Sequence, residues 1–142
     1  MLILGTKNIG TQTVLTDGII NLGSTYRRFC KNNAFARTSN DVSLQATGVY
    51  HITATLVGSG DVAGVVTVQL AINGELVDGA FSSETITTAD TELRTFVIDY
   101  YALVDKSCVL GSTAVNTQTV SLVNTGVDAT FTSVIVNVDK VV

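Results

Sequence analysis

At 142 residues the chain is the length of one domain, long enough to bury about two thirds of the surface that its unfolded form exposes, so it needs no disulfide or metal staple. Hydrophobic residues make up 46% and charged residues 14%, against about 25% charged in an average soluble domain, so a lone copy is short of polar surface and an oligomer is favoured. Valine and threonine each occur 21 times beside 12 glycines and no proline, a composition that marks a β protein and excludes disorder, collagen and coiled coil.

Charge is unevenly placed along the chain. Residues 1–37 carry Lys7, Arg27, Arg28, Lys31 and Arg37 against Asp17, a balance of +4, whereas residues 38–142 hold three bases and eleven acids, or −8. A positive segment ahead of an acidic body suits a docking arm for an acidic partner, and equally an ordinary solvated face. Its five bases lack the density of a nucleic-acid patch. The N-terminus has no basic region before its short apolar run, and no apolar run approaches the roughly 20 residues of a membrane helix, so neither export nor a membrane is expected. Cys30 and Cys108 are 78 positions apart, which is neither a metal-ligand spacing nor a redox pair, and free thiols are expected in a reducing cytosol.

In chain order, residues 1–33 are the least periodic and read either as edge strands or as an arm, with short strands at 13–22 and 42–45. From 49 to 56 the apolar set Tyr50, Ile52, Ala54 and Leu56 alternates with His51, Thr53 and Thr55, the pattern of a half-buried strand. Residues 65–72 place Val66, Val68, Leu70 and Ile72 on one face and end at Asn73-Gly74, which predicts a type I′ hairpin turn because both central residues need positive φ. Residues 93–104 are apolar on both faces, with Phe96, Ile98, Tyr100 and Val104 on one and Leu93, Val97, Tyr101 and Leu103 on the other, and predict a doubly buried strand. Strands at 117–123 and 131–138 close the chain. Polar loops are expected at 58–61, 87–91 and 124–126. With no helical period, about eight to ten short strands imply a sandwich, barrel or jelly roll.

Little in this inventory does chemistry. The single histidine, His51, sits in mid-strand among threonines, so a nucleophile–base pair is not expected. Cys30, Cys108 and His51 lack local metal-ligand spacing. Acids occur singly in loops, apart from Asp99, which interrupts the apolar run at 93–104 and is either buried against Arg94 or a tyrosine hydroxyl, or held at an exposed strand position. Gly58-Ser59-Gly60 opens no helix and is not a phosphate loop. Tyr26-Arg27-Arg28-Phe29 mixes bases with aromatics as single-strand binders do, but one tetrad falls far below a motif. No enzyme activity, cofactor, metal site or nucleic-acid partner is expected.

At Gly48-Val49-Tyr50-His51-Ile52-Thr53-Ala54, and again through Val66-Thr67-Val68-Gln69-Leu70-Ala71-Ile72-Asn73-Gly74-Glu75-Leu76-Val77, the chain resembles the complement/tumour-necrosis-factor-like jelly rolls. It is similar in particular to small phage virion proteins of that fold, of the capsid decoration or head-fibre type, in an opening at 8–22, in Tyr26-Arg27-Arg28 and in an ending at 122–140. The resemblance implies one all-β domain over 1–142, a jelly-roll sandwich of about ten antiparallel strands, tumour-necrosis-factor-like and trimeric. Residues 1–33 serve it as edge strands or a docking arm. The implied function is that of a structural protein attached to the outside of a phage head. The alternative is a trimeric recognition module of a tail fibre or baseplate that binds a host glycan or protein. The implied partners are two further copies and the major capsid protein or another virion protein, and the implied location is the virion, assembled in the bacterial host cytoplasm. The outward strand face of the resembling trimers looks toward the threefold axis. That makes His51, Thr53, Thr55, Tyr101 and Leu103 axis candidates, and Lys7, Arg27, Arg28 and Lys31 capsid-docking candidates. The chain has no collagen-like stalk for an extended fibre.

Overall fold

The computed structural model describes residues 2–29, 34–106, 108–111 and 114–142. The described residues form eleven strands and no helix: β1 (Leu2–Asn8), β2 (Gln12–Val14), β3 (Ser24–Phe29), β4 (Phe35–Arg37), β5 (Val42–Leu44), β6 (Gly48–Gly60), β7 (Gly64–Ile72), β8 (Glu75–Ile86), β9 (Arg94–Val104), β10 (Gln118–Asn124) and β11 (Ala129–Lys140). They make two antiparallel sheets. The first runs β3-β1-β11-β6-β9, with β2 added to β11, and the second runs β4-β5-β10-β7-β8. Neighbours that are distant in sequence, such as β1 beside β11 and β5 beside β10, are the crossovers of a jelly roll.

Alternation decides what fills the space between the sheets. Tyr50, Ile52, Ala54 and Leu56 of β6, Val66, Val68 and Leu70 of β7, Phe96 and Ile98 of β9, and Val134, Val136 and Val138 of β11 are all buried, as period two requires. Phe96 and Phe131 meet edge to face with centroids 6.0 Å apart, and Phe35 meets Tyr50 in the same way at 5.9 Å. The Tyr50 phenol remains polar within this core. Its hydroxyl donates to the Ala46 carbonyl at 2.5 Å, and burial pushes its pKa above the ordinary tyrosine value. The turn at Asn73-Gly74 has positive φ at both residues, 54° and 81°, the geometry the dipeptide predicts.

The structure departs from the sequence reading in several places. Residues 58–60 are not a loop, because β6 continues through Gly60 and pairs with the start of β11. The glycine makes this possible: a Cβ on Gly58 would lie 2.7 Å from the Phe131 ring. Of the segment 13–22 only Thr13 and Val14, the end of β2, are strand, and the rest is turn and loop with a single bridge from Ile19 to Val123. Residues 2–29 supply β1 in the interior of the first sheet as well as β3 at its margin. The largest difference is β9. It is the last strand of its sheet, and although Phe96, Ile98 and Val104 are buried, Leu93, Val97, Tyr101 and Leu103 are 56%, 55%, 59% and 62% exposed. The expected double burial is therefore absent among the described residues, which leave these four side chains of the outer face more than half exposed.

Candidate functional site

Because the apolar set of β6 faces inward, His51, Thr53 and Thr55 stand on the outer face of the first sheet, half-buried by their neighbours. The register places His51 opposite Tyr101, Thr53 opposite Asp99, Thr55 opposite Val97 and Val49 opposite Leu103. All five expected axis residues thus share one surface. His51 lies flat on the Tyr101 ring, with centroids 4.6 Å apart and planes 13° apart, while its Nε2 is 2.5 Å from Asp99 Oδ1. Of the two readings of Asp99, the exposed position is the correct one. Its partner is His51 rather than Arg94, whose guanidinium is held by Glu92.

The same face continues across β11, β1 and β3. Thr53 is flanked on its other side by Asn137, which lies opposite Gly5 of β1. Pairing of β1 with β3 shifts register after Gly5, so Tyr26 bulges outward and lies over the glycine. Its hydroxyl donates to Asn137 Oδ1 at 2.7 Å, and a Cβ on Gly5 would come within 2.8 Å of the Tyr26 ring. Arg27 sits beside it, its guanidinium carbon 5.7 Å from the ring centroid. Tyr26 and Asn137 escape the sequence reading of this face. The signal available for them is a glycine in mid-strand between two buried residues, which marks a close approach from above.

The docking candidates separate. Lys7 and Arg27 face outward on β1 and β3. Arg28, one position on, turns toward the second sheet and donates from Nη2 to the Phe35 carbonyl at 3.2 Å. Lys31 lies outside the described residues, as does Cys30, whereas Cys108 is a free and exposed thiol in the loop between β9 and β10. In the loop Leu110 is fully exposed. Arg37 anchors the neighbouring turn by donating to the Gly23 carbonyl at 2.5 Å. Burial lowers its pKa from the ordinary arginine value, with nearby Asp41 opposing that shift.

Polar groups at the ends of the sandwich are engaged in holding loops. Asn124, fully buried, donates to the carbonyls of Val14 and Val127, Asp128 accepts from the Thr16 amide at 2.8 Å, and Asp61 accepts from Thr130 at 2.6 Å. The Glu92 carboxylate accepts from the amides of Thr87 and Thr88, and these bonds hold it below the usual carboxylate pKa. Among the described residues no three His, Cys, Asp or Glu side chains come together as a metal site. What the outer face offers is a pair of stacked rings, one imidazole–carboxylate bond and an exposed apolar stripe.

Comparison with solved structures gives the class of fold. The chain superposes on the globular domain of zebrafish complement 1qA with a TM-score of 0.66 at 7% identity, covering 100% of this chain and 98% of that one. It superposes on the Eiger tumour necrosis factor of S. frugiperda at 0.65 and 13% identity, covering 99% and 91%. A third match is the PRD1 vertex protein P5, at 0.55 and 15% identity, covering 99% and 97%. No protein-family model and no curated protein matches the chain in sequence. The fold is a TNF/C1q-like jelly roll, all-β and built of two antiparallel sheets.

Proposed function

We propose that the chain is a structural virion protein, a trimeric capsid decoration or head-fibre protein on the outer surface of a phage head. The observation that carries the reading is the match in fold, over nearly the whole of both chains, to a phage vertex protein. The uncovered stripe Leu93, Val97, Tyr101 and Leu103 agrees with it, since proteins of the TNF/C1q-like fold are typically homotrimers and an exposed apolar patch of this kind marks a contact surface. On this reading His51, Thr53, Thr55, Tyr101 and Leu103 lie toward the threefold axis, no reaction is catalysed and no cofactor is used. The partners are two further copies and the major capsid protein or another virion protein.

Immunogold electron microscopy of purified particles, with an antibody raised against the chain, tests the assignment. Label on the head surface is the expected result. Label on the tail would transfer the protein to the recognition-module class, and absence from the particle would overturn the virion reading.

A further inference from the structure

A trimer built through the outer face of the first sheet leaves the outer face of the second sheet in solvent. There period two turns Thr67 and Gln69 of β7, Phe81 and Ser83 of β8 and Ser121 of β10 outward, opposite to the buried Val66, Val68, Ala80 and Leu122. Register sets Phe81 beside Gln69 and Ser83 beside Thr67. None of the outward positions 65, 67, 69, 81, 83, 85, 119, 121 and 123 carries an ionisable side chain. Phe81 is the aromatic ring among them, 52% exposed. Next to it Thr67 Oγ1 and Ser83 Oγ are 2.7 Å apart, and because a hydroxyl has one donor and two acceptor sites, the pair keeps both kinds of capacity toward solvent. Beyond Gln69 the pairing jumps to Ala71 opposite Leu76, so residues 77–80 bulge out of the ladder. Gly79, with φ 82°, makes the turn of this bulge, and the Gln69 amide ties it down beside Phe81 by donating to the Val77 carbonyl at 3.0 Å.

We propose that this face binds a neutral pyranose unit of a polysaccharide, with Phe81 as the ring on which the sugar stacks. The C–H face of a pyranose is apolar and its rim is hydroxyl, which matches an exposed aromatic ring flanked by the Thr67 and Ser83 hydroxyls and the Gln69 amide. A sugar hydroxyl donates and accepts at once, and so do these three groups. Charge decides against other polymers. A nucleic acid or an acidic polysaccharide needs bases for its anionic groups and finds none at these outward positions, in a chain whose net charge is −4. A membrane surface needs a continuous apolar patch, and a protein partner an apolar contact centre, whereas here one ring stands among hydroxyls. The site goes beyond the virion reading and does not depend on it. In a trimer the three copies would engage neighbouring units of one polymer, so weak binding at each would be multiplied.

Affinity electrophoresis of the full chain in native gels cast with dextran, laminarin or galactomannan, and with alginate as the acidic control, tests the site. Retardation by at least one neutral polymer and none by alginate is the expected result. Phe81→Ala, folded by circular dichroism because the ring lies outside the core, is expected to need at least about tenfold more polysaccharide for the same retardation. Phe81→Tyr keeps the ring and is expected to bind within about threefold of wild type. The paired change Thr67→Val and Ser83→Ala leaves the ring in place, removes both hydroxyls together so that neither is orphaned, and is expected to weaken binding by about threefold to tenfold. No retardation in any neutral gel, stronger retardation by alginate than by every neutral polymer, or unchanged binding in folded Phe81→Ala or in the paired variant would overturn the site. None of these results bears on the immunogold test, so the virion reading stands or falls separately.

Discussion

The two faces of the first sheet carry the same kind of residue to different ends. On its inner face Tyr50, Ile52, Phe96, Ile98 and Val134 are buried against the second sheet, and on its outer face Val97, Tyr101 and Leu103 are as apolar but more than half exposed among the described residues. The lesson lies in the polar residues set among them. On the inner face the buried Tyr50 hydroxyl is held by the Ala46 carbonyl, whereas the buried Thr6 hydroxyl has no hydrogen-bond partner among the described residues. The outer face tolerates His51, Asp99, Thr53 and Asn137, which is the composition of an exposed surface rather than of a core.

The inner face is broken most severely by removing an aromatic ring. Phe131→Ala leaves a cavity beside Phe96 and Gly58, and is expected to cost about 3–5 kcal/mol of stability in a denaturant titration. On the outer face the paired change Tyr101→Ser and Leu103→Ser should do the reverse. Each chain keeps its stability to within about 1 kcal/mol, while assembly falls by a factor of about ten or more in sedimentation, since each buried apolar side chain contributes about 1.5–3 kcal/mol. Equal loss of folding in both variants would erase the distinction between the faces.

Gly5→Ala sharpens the comparison within the outer face. The added methyl displaces the Tyr26 ring from above β1 and breaks its bond to Asn137, for an expected loss of about 1 kcal/mol in thermal unfolding. The smallest effect concerns a loop at the rim. The folded pKa of Glu92 lies below its unfolded value, so its contribution is present above the ordinary glutamate range of about 4.3 and is lost as pH falls through the folded pKa. The protection of the Thr87 and Thr88 amides, expressed relative to the intrinsic exchange rate at each pH, is therefore expected to fall on acidification in the wild type and to be low at every pH in Glu92→Gln.

Most of the inner architecture is legible in the sequence because a strand with one covered face must alternate, and Tyr50 to Leu56 or Val134 to Val138 can be satisfied in no other register. The turn at Asn73-Gly74 is equally local. Three features are not local. The continuation of β6 through Gly60 depends on Phe131, more than seventy residues away, needing the room that Gly58 leaves. The partner of Asp99 comes from the neighbouring strand, so its choice of His51 over Arg94 follows from register and not from spacing. The outward stripe of β9 reads from sequence as a second buried face, since periodicity reports that a side chain is apolar but not whether its cover comes from its own chain or from another.

The claim that another copy covers this stripe can be tested most directly by hydroxyl-radical footprinting of the wild-type protein across a dilution series, read residue by residue by mass spectrometry. The expected result is that Val97, Tyr101 and Leu103 are protected at high concentration and become labelled on dilution, while Ile9, exposed and far from β9 in the strand order, is labelled throughout. Labelling of Tyr101 and Leu103 as strong as that of Ile9 at every concentration would contradict it.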